Sequence, residues 1–226
     1  MIQRGDDKEA QLNRSAANRG STVHVPRQVP AGRAHEVVDA LFDAFHDYPV
    51  MRYAVGDAGA DYDRRLRLLI GVFVARRIDH GHPILAIEEG GQVVGVATLT
   101  PPGDPGPPSA EFDARLEALW NDIGQDAKAR MEALVEIWKR LTIPGPQFHL
   151  NMLGVRRTHA GQGVGRILLD EVHRISHEHP ESTGVSLSTE DPKNVLLYEH
   201  CGYEVRFHER VSPALETWIL FRPDDR

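Results

Sequence analysis

The sequence predicts a mixed α/β (α+β) domain on a largely antiparallel sheet. Three stretches carry that prediction. ILAIEEGGQVVGVATLT, Ile84–Thr100, sets two apolar runs around Glu88-Glu89-Gly90-Gly91 and reads as a hairpin. Residues 148–190 read as strand, glycine turn, helix and strand, a unit expected to be parallel and right-handed. YEVRFHERV and ETWILFRP read as a closing pair of strands.

The elements follow in order. HVPRQVP, His24–Pro30, opens with a short strand. Val37, Val38, Leu41, Phe42 and Phe45 then recur at helical spacing. Pro49 is expected to end that helix, leaving DYPVMRYAVGD as a loop. Tyr62–Asp79 reads as a second helix, with Leu66, Leu69, Ile70, Phe73 and Val74 inward. After the hairpin, PPGDPGPP is a stiff linker. From Leu116 to Leu141 the apolar spacing is helical again, with Gly124 expected to split it and Pro144-Gly145-Pro146 to stop it. FHLNMLGV, Phe148–Val155, reads as a buried strand, and TGVSLSTE, Thr183–Glu190, as another. Asn194–His200 is a short helix closed by Gly202.

Composition bounds the function. With 226 residues and 41% hydrophobic content, one domain with a substantial core is expected. Its limits are 23–226, with an insertion at about 101–146 and a polar tail over residues 1–22 that lacks the apolar centre of a secretory signal. The net charge of −7 argues against nucleic-acid or anionic-membrane partners. A single cysteine, Cys201, rules out an internal disulfide and suits a cytoplasmic setting. It reads as a small buried residue at a helix end. There is no apolar run of about 18 residues. His173 and His177 lie one helical turn apart, but no third ligand is clearly placed, so no metal is implied.

The richest local signal is VRRTHAGQGVGRILLDEVHRI, Val155–Ile175. Gly161, Gly163 and Gly165 alternate just where a helix must start. Glycine costs up to about 1 kcal/mol per helical site relative to alanine. A helix start offers unpaired N–H groups and partial positive charge, and glycine lets a phosphate approach them. Arg156, Arg157 and Arg166 add charge nearby. A ligand-free turn is the plain alternative. The spacing GQGVGR matches neither a P-loop nor the dinucleotide fingerprint.

LGVRRTHAGQGVGRILL resembles the acetyl-CoA signature of the GCN5-related N-acetyltransferase superfamily. Gly163 and Gly165 stand at its two required glycines, while Ala160 replaces the usual Arg or Gln. STEDPKNVLLYEHCGYEV, Ser188–Val205, resembles that superfamily's second motif. Ala44–Val55 and the helical insertion further resemble puromycin N-acetyltransferases.

The resemblance implies a twisted, mostly antiparallel central sheet, flanking helices, and acetyl transfer from acetyl-CoA to a primary amine by direct attack. It implies cofactor contacts at Leu153, Gly154 and Val155 on the strand, and at Ala160, Gly161, Gln162, Gly163, Val164, Gly165 and Arg166 on the turn. Tyr198 corresponds to the tyrosine beside the CoA sulfur and would donate its proton; a packed tyrosine is the other reading. Asn194 would contact the pantetheine or cap its helix. An ammonium must lose a proton before it attacks. His149 or Glu190 would take it, although each also reads as a structural group. Asn151 shares the face of His149. With Tyr48, Arg52 and Tyr53 from the first interhelical loop, it would line the acceptor pocket. Trp120 and Trp138 could help from the insertion, although core packing is the better reading for both. The partner implied is a small-molecule or protein amine, with the chain a monomer or homodimer. A non-catalytic acyl-CoA-binding regulatory module is the alternative.

Overall fold

The computed structural model describes residues 24–103 and 106–225. The expected tail over residues 1–22 lies outside them, as do Asp104 and Pro105 of the linker. Among the described residues seven strands form one sheet: β1 (Arg27–Gln28), β2 (Ile84–Glu89), β3 (Gln92–Thr100), β4 (Phe148–Val155), β5 (Gly184–Thr189), β6 (Glu204–Ser212) and β7 (Leu215–Pro223). Their spatial order is β1-β2-β3-β4-β5-β7-β6. Every neighbouring pair is antiparallel except β4 and β5. The mixed α/β architecture with a mostly antiparallel sheet is the one expected.

Among the described residues seven α-helices flank the sheet: α1 (Ala34–Phe45), α2 (Pro49–Val55), α3 (Tyr62–Asp79), α4 (Ala110–Ile123), α5 (Gln125–Arg140), α6 (Val164–Glu178) and α7 (Pro192–His200). The helix α2 replaces the loop expected after Pro49. Proline ends one helix and suits the first position of the next, and here it does both. Seven residues are also too few for a periodic signal. Val50, Met51, Ala54 and Val55 are buried on α2. From the insertion, Arg130 of α5 donates to the α2 carbonyls of Ala54 (3.1 Å) and Val55 (2.9 Å).

The sheet separates two apolar clusters. One gathers Val37, Leu41, Leu66, Ile70 and Leu134 from α1, α3 and α5. The other packs Leu168, Leu169 and Val172 of α6 against Ile87, Leu99, Leu187 and Leu220. Strand β4 serves both. Its pairing with β3 slips by one residue, Leu99 facing Leu150 but Thr98 facing Met152, so Asn151 is an extra residue. A bulge of this kind swaps faces. Phe148 and Leu150 belong to the α6 cluster, whereas Met152 belongs to the other. Gly154 lies beyond the bulge, and a Cβ there would come within 3.0 Å of Ala44, Leu41 and Phe45, so its glycine admits α1.

Strands β4 and β5 pair only at Phe148↔Val185, His149↔Ser186 and Leu150↔Leu187. Beyond that point β4 continues to Val155 with no partner on its β5 side. The two strands therefore part within the sheet, and the opening positions the site.

Candidate active site

Two concavities meet at the parting of β4 and β5. A cavity of about 390 Å³ lies toward α1, α2 and α5, and a groove of about 720 Å³ lies toward α6 and α7. Leu153, Val155, Asn194 and Tyr198 line both.

The groove is built from main chain. Gly161 and Gly163 have φ of +75° and +84°, the left-handed region that glycine enters without a Cβ penalty. A Cβ at either would meet nothing within 4 Å, so the space above them is open. The first α6 hydrogen bond runs from Ile167 N–H to the Gly163 carbonyl, and no side chain caps the helix. The N–H groups of Val164, Gly165 and Arg166 therefore precede any intrahelical partner. Ala160, Gly161, Gly163, Val164, Gly165 and Arg166 all line the groove. Gln162 does not; its side chain turns back to the Thr158 carbonyl at 3.0 Å.

The cavity is built from side chains. At its wall, Glu190 is 6% exposed. Its Oε1 accepts from Thr217 Oγ1 at 2.8 Å, and that hydroxyl accepts from Trp138 Nε1 at 3.3 Å. Burial raises the Glu190 carboxyl from the usual carboxylate range to about 7, against the opposing pull of these hydrogen bonds. Its backbone N–H donates to Tyr48 Oη at 3.0 Å, which lies 2.8 Å from Thr189 Oγ1. Burial also pushes the Tyr48 hydroxyl up to about 12. Tyr198 is almost fully buried, and burial, aided by Tyr48, lifts its hydroxyl well above the ordinary phenol range. It stays protonated at any physiological pH. His149 Nδ1 lies 3.0 Å from Ser186 Oγ. Burial, with Arg77 nearby, lowers its ring to about 4, so it is neutral at pH 7.

The acetyltransferase (GNAT) family model matches residues 38–203, which spans α1 through α7 and contains both concavities. The chain belongs to the GNAT acetyltransferase family. Membership makes it an N-acetyltransferase by class.

Solved GNAT folds superpose on it at low sequence identity. A protein described as histone acetyltransferase HPA2 and related acetyltransferase, from Corynebacterium glutamicum, is 18% identical at a TM-score of 0.65, covering 90% of this chain and 98% of its own. The Drosophila melanogaster polyamine N-acetyltransferase is 16% identical at 0.56, covering 88% and 98%. The Escherichia coli ribosomal-protein-S18-alanine N-acetyltransferase is 11% identical at 0.52, covering 90% and 95%.

Within this GNAT frame, most of the expected site residues come together, and some do not. Tyr48, His149, Asn151, Leu153, Gly154, Val155, Glu190, Asn194 and Tyr198 line the cavity. Arg52 and Tyr53 are absent from its lining. Because their loop is helical, Arg52 turns outward, pairs with Asp47 and sits 3.9 Å above the Tyr62 ring, while Tyr53 packs on the core. Asn194 does not cap its helix. Asp191 does, accepting from the Lys193 N–H at 3.0 Å, and Pro192 fills the first helical position.

The expected arginine cluster at the turn is also dispersed. Arg156 donates to the Val93 carbonyl at 2.7 Å, and Arg157 is held by Asp43. Arg166 remains at the groove, with Asp170 2.8 Å from its Nε. Cys201 is half-buried rather than buried, lining the groove 3.7 Å from Arg166 Nη1. His173 bonds the Tyr203 hydroxyl at 3.0 Å.

Sequence reasoning missed Arg77 and Thr217, and it favoured core packing for Trp138, which packs on the core and lines the cavity as well. Thr217 interrupts an apolar strand at a fully buried position, and Arg77 sits on the last turn of α3 where a surface charge is ordinary. Only the first of these carried a usable signal, a lone hydroxyl within a core run.

Proposed function

We propose that the chain acetylates a primary amine, with acetyl-CoA as donor held in the groove and the amine in the cavity. The observation that carries this reading is the shared boundary at Leu153, Val155, Asn194 and Tyr198. It joins a main-chain anion cradle to a buried acid with a near-neutral pKa. The cradle suits a pyrophosphate, since open left-handed glycines precede free helix N–H groups. The unpaired β4 edge beyond Leu150 suits the amide-bearing pantetheine arm, which can pair there as a strand would. Asn194 lies beside that edge.

When bound, acetyl-CoA supplies a thioester carbonyl for the amine to attack, with the CoA thiol departing. Glu190 is the base. A buried carboxyl poised near 7 is ionised enough at neutral pH to take the ammonium proton and then release it to solvent. Thr217 holds its Oε1 in place. His149, lowered to about 4, is the weaker base and serves as a neutral wall of the cavity. Negative charge developing on the carbonyl oxygen is met by a β4 main-chain N–H near Leu153. Tyr198 offers its O–H to the departing sulfur, which finally carries the proton lost from nitrogen as the C–N bond forms.

Calorimetric titration with acetyl-CoA, followed by turnover over an amine panel, tests this. Micromolar binding and amine-dependent thiol release are expected. An absence of binding would overturn the reading.

A further inference from the structure

The charged groups of the cavity are unequal in their partners. Glu190 has two hydrogen-bonded neighbours, Thr217 and, through its main chain, Tyr48. Arg77, on α3, lines the same cavity with less support. Its Nη1 donates to Thr100 Oγ1 at 2.7 Å, and Thr100 donates onward to Asn151 Oδ1 at 3.0 Å. Its Nε is buried with no hydrogen-bond partner among the described residues. Burial and the neighbouring Arg76 both act against its charge, and no carboxylate among the described residues opposes them.

Elsewhere the chain treats arginine differently. Arg33, Arg64, Arg157 and Arg174 each hold a carboxylate within 3.1 Å, and each keeps a third or more of its side chain exposed to water. In a protein of net charge −7, acids are abundant, yet none is placed against the one arginine that lines this cavity among the described residues. A half-buried cation whose Nε is shut away from water, and which has no counter-charge, carries a cost unless something supplies one. The guanidinium fork fits a planar two-oxygen anion better than any other partner. A purely structural role would be served by the Thr100 contact alone and would leave the free Nε and the missing acid without a reason.

We propose that the acceptor is an amine that also carries a carboxylate, and that Arg77 binds that carboxylate while Glu190 receives the ammonium. This rests on the reading of the cavity as the acceptor site. It makes Arg77 a determinant of specificity. Amino acids are its favoured substrate class, and diamines or polyamines, which would set a second cation against Arg77, are disfavoured.

The test uses the full chain and matched acceptors: tyramine against tyrosine, and cadaverine against lysine. In the wild type, kcat/KM for the carboxylate-bearing member is expected to exceed its partner's by about tenfold or more. In Arg77→Gln that ratio should fall to within about threefold of one, with Arg77→Lys between the two. Because a substitution at this half-buried position can disturb folding, a wild-type measurement stands beside it. 4-Hydroxyphenylpropionate, which has the carboxylate and no amine, should inhibit competitively against tyrosine. Equal or better use of the carboxylate-free amines, an unchanged ratio in Arg77→Gln, or no such inhibition would each overturn the proposal while leaving acetyl transfer intact. Failure to bind acetyl-CoA together with no turnover of any acceptor would overturn the underlying reading, and this proposal with it.

Discussion

The groove and the cavity adjoin along one strand, yet they are made of different material. The groove offers consecutive main-chain N–H groups at the start of α6, within a span that reads as one motif. The cavity draws Tyr48 from the turn before α2, Arg77 from α3, Trp138 from α5, His149 from β4 and Glu190 from the end of β5. Main-chain recognition tolerates changes of side chain so long as the backbone conformation survives. Side-chain recognition does not, and it is where burial shifts acidities. On this view the donor half binds and the acceptor half reacts, and each can be broken without the other.

The largest break is expected at Glu190. Glu190→Gln should lower kcat/KM by about a hundred- to ten-thousand-fold, the usual range for a lost general base. Acetyl-CoA affinity by calorimetry should stay within about twofold. The wild-type pH profile should rise as pH passes through about 7, the point to which burial raises this carboxyl, and the variant should lose that limb. A variant that loses acetyl-CoA binding equally would erase the proposed division.

The same group makes a stability prediction. The folded pKa of about 7 exceeds the ordinary 4.5, so between those values the folded state holds the proton more firmly than the unfolded chain. Stability from this group is therefore full below about pH 4.5 and declines as pH rises through 7. The cost above pH 7 reaches about 3 kcal/mol. Urea unfolding at pH 5 and pH 8 should show Glu190→Gln gaining on the wild type at the higher pH. A constant difference across that window would mean the carboxyl is not buried as described.

A smaller effect is expected on the donor side. Gly163→Ala forces a Cβ into the left-handed region, costing roughly 1–2 kcal/mol, and points it into the open groove. That strain should appear as lost stability, while the Cβ, standing where a phosphate would approach, should weaken acetyl-CoA binding about tenfold, about 1.4 kcal/mol. At saturating acetyl-CoA, the limb near pH 7 should persist, because Glu190 is untouched.

The contrast also explains what was legible in the sequence. The strands and most helices came from periodicity, because alternating or helical burial writes itself into the residue order. The turn from Gly161 to Gly165 was readable as a possible anion site because its glycines lie close together in sequence as well as in space. The α2 helix escaped because Pro49 closes one helix and opens another within four residues of Phe45. Arg77, Thr217 and the cavity-side role of Trp138 escaped because their meaning depends on what long-range packing sets beside them. The bulge at Asn151 was equally hidden, since a register slip is a relation between two strands. Arg156 and Arg157 misled for the same reason: charge next to the turn in sequence is bound elsewhere in space.

That last point yields the smallest predicted effect and the sharpest test of main-chain recognition. Arg157 is held by Asp43, its guanidinium reaching Oδ1 at 3.1 Å, and it lies outside the groove lining. Exposed pairs of this kind contribute about 1 kcal/mol or less. Arg157→Ala should therefore leave acetyl-CoA affinity within about twofold and its salt dependence unaltered, since no phosphate contact is lost. Arg166→Ala, at the groove but shared with Asp170, should weaken binding by only about threefold and flatten the salt dependence slightly. If instead Arg157→Ala cost tenfold, the pyrophosphate would be held by side chains after all, and the groove would resemble the cavity in its construction.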